Sequence, residues 1–146
     1  TSDETGIVVC GKNANKYYVL NDKSGKYSPD EWARTAIRLF YELNADRIVA
    51  EVNNGGDLVE RLIRTIDSKV PYTPVRASRG KMMRAEPIAA LYEQERVSHI
   101  GVFSELEEQM CSYTPETNKS PDRLDALVWA LTELSDTRGS AYWRIS

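Results

Sequence analysis

The chain predicts an α/β domain with a mixed β-sheet flanked by helices. Three observations carry that expectation. Short β-rich runs are separated by segments of helical periodicity, in the order ββαβαβα…α. At 146 residues the chain has the length of one domain, enough to bury roughly 70% of its unfolded surface. Its 41% hydrophobic and 28% charged content is that of an ordinary globular protein.

Each element has a local justification. TGIVVCG (5–11) and KYYVLN (16–21) are β-rich runs joined by the polar loop Lys12–Asn15, which predicts an antiparallel hairpin. After the turn Asp22–Tyr27, Ser28 is an N-cap, Pro29 suits the first helical position and Glu31 completes a capping box. Ala33, Ala36, Ile37, Phe40 and Leu43 then recur at helical spacing, so a helix is expected to about Leu43. RIVAEV (47–52) reads as a short strand ended by Asn53-Asn-Gly-Gly, and a second helix over about 57–67 carries Leu58, Leu62 and Ile63.

Val70 to Val75 is a strand candidate interrupted by Pro71 and Pro74. A basic, Gly-containing loop leads to a third helix over about 82–95, with Met82 and Met83 read as helix core. Residues 97–102 read as extended and 104–110 as a short helix, followed by a polar loop over 113–120. The last helix starts at KSPDRLDALVWALTEL, and the tail after Ser135 is expected to be a frayed end or a connection.

Composition and motifs exclude several classes of function. The net charge of −3 gives no overall positive field, so nucleic-acid binding would need a local patch. Cys10 and Cys111 are far apart and match no metal spacing, which suits reduced thiols with Cys10 in a core strand. No apolar run approaches the roughly 18 residues of a membrane span. There is no phosphate-binding G-x-x-x-x-G-K-[ST] motif and no G-x-S-x-G elbow. Gly55-Gly56 is explained by a tight turn, and the lone His99 reads as structural.

Three acids stand out. Ser120-Pro121 places Asp122 in the first turn of the last helix, where the helix dipole favours a carboxylate by about 0.3–1 kcal/mol. Asp125 lies one turn further in, against ALVWAL, where an unpaired carboxylate would cost several kcal/mol. A bound cation would remove that cost. Glu51 interrupts the apolar strand at its carboxyl end, where α/β sheets bind ligands. Alternation places it with Val49; an edge strand with Glu51 in solvent is the competing reading. Acids from a strand end and a helix start suit Mg²⁺ or Mn²⁺. Two such ions ~3.5–4 Å apart could activate a water and stabilise the leaving oxygen of a phosphodiester.

The stretch RASRGKMMR (76–84) concentrates Arg76, Arg79, Lys81 and Arg84 with no acid among them. It suits phosphate contacts that position nucleic acid without reading its sequence; a solvated surface loop is the alternative.

The segments AEVNNGGDLV (50–59), SRGKMMRAEPIAALYEQERVSHIG (78–101), FSELEEQM (103–110) and KSPDRLDALVWAL (119–131), in this order, resemble the C-terminal nuclease domain of the large terminase subunit of tailed bacteriophages and prophages. The similarity runs from DETGIVV to LTEL. It implies a ribonuclease H-like fold, a single nuclease domain over 1–146, and a metal-dependent endonuclease cutting concatemeric double-stranded DNA during capsid packaging. The family's strand-end acid falls on Glu51 and its acidic pair on Asp122 and Asp125, of which Asp125 is favoured as the direct ligand. Mg²⁺ or Mn²⁺ is implied, with two ions in the complete site.

The family's remaining acid lies on a first strand upstream of a D-E-T-G-like segment, and this chain begins at TSDETG. That acid is therefore expected to be absent, with Asp3 only a lesser candidate, and the chain to bind metal poorly and cut slowly or not at all. The resemblance also implies an ATPase motor domain, a small terminase subunit and a portal as partners. It places the activity in the bacterial host cytoplasm and, transiently, at the procapsid portal. Two other readings compete with it: a resolvase-type ribonuclease H-like nuclease, and a non-catalytic docking module.

Overall fold

The computed structural model describes residues 4–52, 58–76, 81–113, 122–136 and 141–145, with 81–83 and 141–145 described by their backbone alone. Among the described residues, five helices and six strands form a mixed α/β fold. The strands are β1 (Ile7–Asn13), β2 (Lys16–Asp22), β3 (Arg47–Glu51), β4 (Tyr72–Val75), β5 (Val97–His99) and β6 (Ala141–Ile145). The helices are α1 (Pro29–Glu42), α2 (Leu58–Ile66), α3 (Lys81–Glu93), α4 (Ser104–Ser112) and α5 (Asp122–Asp136).

The expected hairpin forms: β1 and β2 pair antiparallel, and Ala14 takes the left-handed conformation (φ 57°) at the reversal. The capping box of α1 is present, with the Glu31 amide donating to Ser28 Oγ and the Ser28 amide to Glu31 Oε1. The predicted start at Ser120-Pro121 and the glycine turn at 53–56 lie outside the described residues. Two extended segments are shorter than expected. β4 begins at Tyr72, beyond Pro71, and tolerates Pro74 because it is an edge strand. β5 ends at His99, leaving Ile100 and Val102 exposed.

The sheet order is β4-β3-β6-β1-β2-β5. β3 is parallel to both β4 and β6, β6 is antiparallel to β1, and β5 is parallel to β2. One expectation changes here, and one competing reading falls away. The tail is not a frayed end: Ala141–Ile145 is an interior strand, hydrogen-bonded on both sides. Its β-prone AYWRI satisfies the ladder groups that β1 and β3 would otherwise expose between them. Nor is β3 an edge strand, so Glu51 ends an internal strand and is half-buried.

Alternation along β1 and β3 divides the core into two layers. Ile7, Val9, Ile48 and Ala50 pack with Ala36, Ile37 and Leu39 of α1 and Ile63 of α2. Val8, Cys10 and Val49 face the other way, toward Ile88 and Leu91 of α3, Leu106 of α4 and the apolar run of α5. Each buried Leu or Ile contributes roughly 1.5–3 kcal/mol. Glu51 has the parity of Val49 and so belongs to the α5 side. Both cysteines are free, Cys10 buried and Cys111 exposed, and burial pushes the Cys10 thiol far above its ordinary pKa.

The chain entering β1 also touches α5. A Cβ on Gly6 would stand 2.3 Å from the Asp122 carbonyl oxygen, so only glycine permits this approach to the first turn of α5. No helix among the described residues is long and apolar enough to cross a membrane.

Candidate active site

Asp122, Asp125 and Trp129 follow one another at i, i+3 and i+7, which puts them on one stripe of α5. Asp122 is half-buried and Asp125 is 8% exposed. The stripe meets the carboxyl end of β3, where Trp129 Nε1 donates to Glu51 Oε1 at 3.0 Å. The indole therefore fixes the distance from the strand-end acid to the helix that carries the other two.

The charge of Asp125 is met by the protein itself. Arg84, in the first turns of α3 and 8% exposed, places Nη2 3.5 Å from Asp125 Oδ1. Its guanidinium carbon lies 4.7 Å from the centroid of the Trp129 ring, a cation–π contact. Glu51, Trp129, Arg84 and Asp125 thus form one connected group across β3, α5 and α3.

Arg84 is a correction to the expectation of four phosphate-facing cations. It turns inward because a buried Asp125 needs a counter-charge and the Trp129 face accepts a flat cation. Arg76 is exposed and follows Val75, the register partner of Glu51, so it lies at the same end of the sheet as the acids. Lys81 begins α3, its side chain outside the description, and Arg79 and Asp3 lie outside the described residues.

Sequence reasoning missed Arg123. It is 6% exposed and donates from Nε and Nη2 to the two carboxylate oxygens of Glu4 at 3.1 and 2.8 Å, and from Nη1 to Asp22 at 2.8 Å. Glu105 of α4 approaches within 3.6 Å. Burial by itself would lower the Arg123 pKa; the bonds to Glu4 and Asp22 outweigh it and raise the pKa further. The signal was a cation in the first turn of a helix, where the dipole disfavours it unless acids surround it. Trp129 was hidden inside an apolar run; its clue was its place one turn beyond Asp125.

His99 joins three elements. Glu107 is held below its ordinary carboxylate pKa first by its hydrogen bond to His99 and next by the Phe103 amide. The ionised carboxylate can only accept, so His99 Nδ1 donates to it at 2.9 Å, and Nε2 shares a 2.7 Å hydrogen bond with the Tyr92 hydroxyl. This chain ties α3, β5 and α4 together.

The donor chemistry of Glu51, Asp122 and Asp125 suits a hard divalent ion. Their arrangement does not yet close a site. Among the described residues no three His, Cys, Asp or Glu side chains are grouped so as to hold a metal. Asp125 faces a guanidinium, and Glu51 faces an indole N–H.

Among known proteins, a family model described as a terminase RNaseH-like domain matches residues 1–134. No curated protein matches the chain.

Proposed function

The chain belongs to the terminase RNaseH-like domain family, and from that premise we propose that it is the endonuclease module of a viral DNA-packaging terminase. In this reading it has a ribonuclease H-like fold and hydrolyses phosphodiester bonds of concatemeric double-stranded DNA. The observation that carries the proposal is the link from Glu51 through Trp129 and Arg84 to Asp125, which gathers two acids at the carboxyl end of an internal strand.

The residues have distinct parts. Glu51 and Asp125, with Asp122 beside them, are the acids of the site and its prospective ligands for Mg²⁺ or Mn²⁺. Such ions supply Lewis acidity and an activated water when bound. Trp129 orients Glu51. Arg76, Arg79 and Lys81 hold the DNA backbone at the same end of the sheet. The unit works with an ATPase motor, a small subunit and a portal, in the host cytoplasm and at the procapsid.

Incubating supercoiled plasmid with the protein and Mn²⁺ tests this. Nicking is expected that EDTA abolishes and that Glu51→Ala and Asp125→Ala each reduce at least about 100-fold, the scale of an essential catalytic group. Cutting that survives both substitutions would sink the assignment of these acids. A second reading, a non-catalytic docking module, draws support from the guanidinium already facing Asp125. Absence of cutting by a chain extended at its N-terminus would favour it.

A further inference from the structure

We infer that the outer face of α1 and α2 is a contact surface for a second copy of this chain. Such a contact is independent of the nuclease reading: α1 and α2 cover one side of the sheet, and α5 with its acids covers the other.

α2 is two-faced. Ile63 is fully buried in the core, whereas Leu58 at the first helical position is 64% exposed. A single exposed leucine is ordinary; its surroundings set this one apart. Ile100 and Val102 are also exposed, but they follow the end of β5. Leu58 borders a depression of about 180 Å³ between α1 and α2, lined also by half-buried Leu62 and Ile66 and by exposed Asp30, Arg34 and Arg61. An apolar knob beside an apolar hollow suits a two-fold contact, because Leu58 of each copy can enter the hollow of the other.

The charges choose the occupant. Arg34 pairs with Asp30 and Arg64 with Glu60, each at 2.9 Å along its own helix and with side chains 36–63% exposed. Pairs so exposed contribute little and exchange partners readily. Arg61 is exposed and has no ion pair among the described residues. The face therefore interleaves Arg34, Arg61 and Arg64 with Asp30 and Glu60. A nucleic-acid backbone would meet both carboxylates as like charges, and a wholly acidic or wholly basic segment would be opposed by one set or the other. A second copy presents both signs, so Arg61 of each can face an acid of the other. The net charge of −3 leaves little self-repulsion against pairing.

Sedimentation equilibrium from about 1 µM to about 1 mM, the range of a modest interface, tests this. Wild type is expected to show a reversible monomer–dimer equilibrium. Leu58→Lys should raise the dissociation constant at least about tenfold, the scale of losing a central anchor. Arg61→Glu should raise it as well, and it carries the test alone if circular dichroism shows Leu58→Lys unfolded. Ile100→Lys should leave it unchanged.

A wild type that stays monomeric throughout overturns the inference. So does a dimer that survives both α2 substitutions, or one that Ile100→Lys breaks instead. Anisotropy with a labelled DNA duplex scores the other occupant: a monomeric wild type whose DNA affinity falls in Arg61→Glu gives this face to nucleic acid. Plasmid cutting by wild type is scored separately, so a dimer that never cuts keeps this contact and loses only the nuclease reading.

Discussion

The indole N–H of Trp129 donates to the carboxylate of Glu51 at 3.0 Å, joining the last core helix to the carboxyl end of an internal strand. Trp129→Phe keeps most of the ring and removes this donor. A hydrogen bond to a charged group contributes about 1.5–3 kcal/mol, so urea denaturation is expected to show a loss of that order. Nicking in Mn²⁺ should fall as well, because Glu51 loses the group that aims it. An unaltered nicking rate would leave Trp129 as packing alone.

Arg123 holds the start of β1, the end of β2 and the first turn of α5 together. Arg123→Met strands the buried Asp22 and is expected to cost about 3–5 kcal/mol, read as a lowered urea midpoint. Adding Asp22→Asn should recover part of that loss, since the stranded charge is gone. A double variant no more stable than the single one would show that the pairing is not what Arg123 supplies.

Glu107 sets an acid limit on stability. Its folded pKa lies below the ordinary 4.5, first through the His99 hydrogen bond and then through the Phe103 amide. A depressed acid stabilises the fold fully above its unfolded pKa, and this contribution is lost as pH falls through the lower folded value. Glu107→Gln should therefore lower the melting temperature at neutral pH and narrow its difference from wild type as the solution is acidified below pH 4.5. Thermal melts across that range decide the matter, and a constant gap between the two proteins would remove Glu107 from the account.

Neutralising Arg79 and Lys81 to Gln should weaken DNA binding at every sequence and flatten the plot of log affinity against log salt by about one unit per residue. Fluorescence anisotropy with a labelled duplex at several salt concentrations measures this. An unchanged slope would return the loop to ordinary solvated surface.

Much of the architecture was legible locally. Ser28, Pro29 and Glu31 announce α1 because a capping box satisfies its own neighbouring amides. Alternation in the β1 run and helical spacing in α1 mark the faces that pack, because strand and helix periods are properties of the backbone. Glu51 and Asp125 stood out because a carboxylate inside an apolar run needs an explanation wherever the chain goes.

What lay beyond reach were partners distant in sequence. Arg84 belonged to a basic stretch, and nothing local told it from Arg76; only the packing of α3 on α5 turned one inward and left the other exposed. Arg123 needed Glu4 and Asp22, more than 100 positions away along the chain. AYWRI read as a tail because a strand is recognised by its neighbours, and β1 and β3 become its neighbours only once the sheet has formed. The sequence by itself determined most of the elements, the faces of those it showed and the acids at odds with them, since those follow from short-range backbone geometry and the cost of burying charge. The tertiary structure alone decided which cation neutralises which acid, since that depends on approaches of a few ångströms between segments the sequence keeps apart.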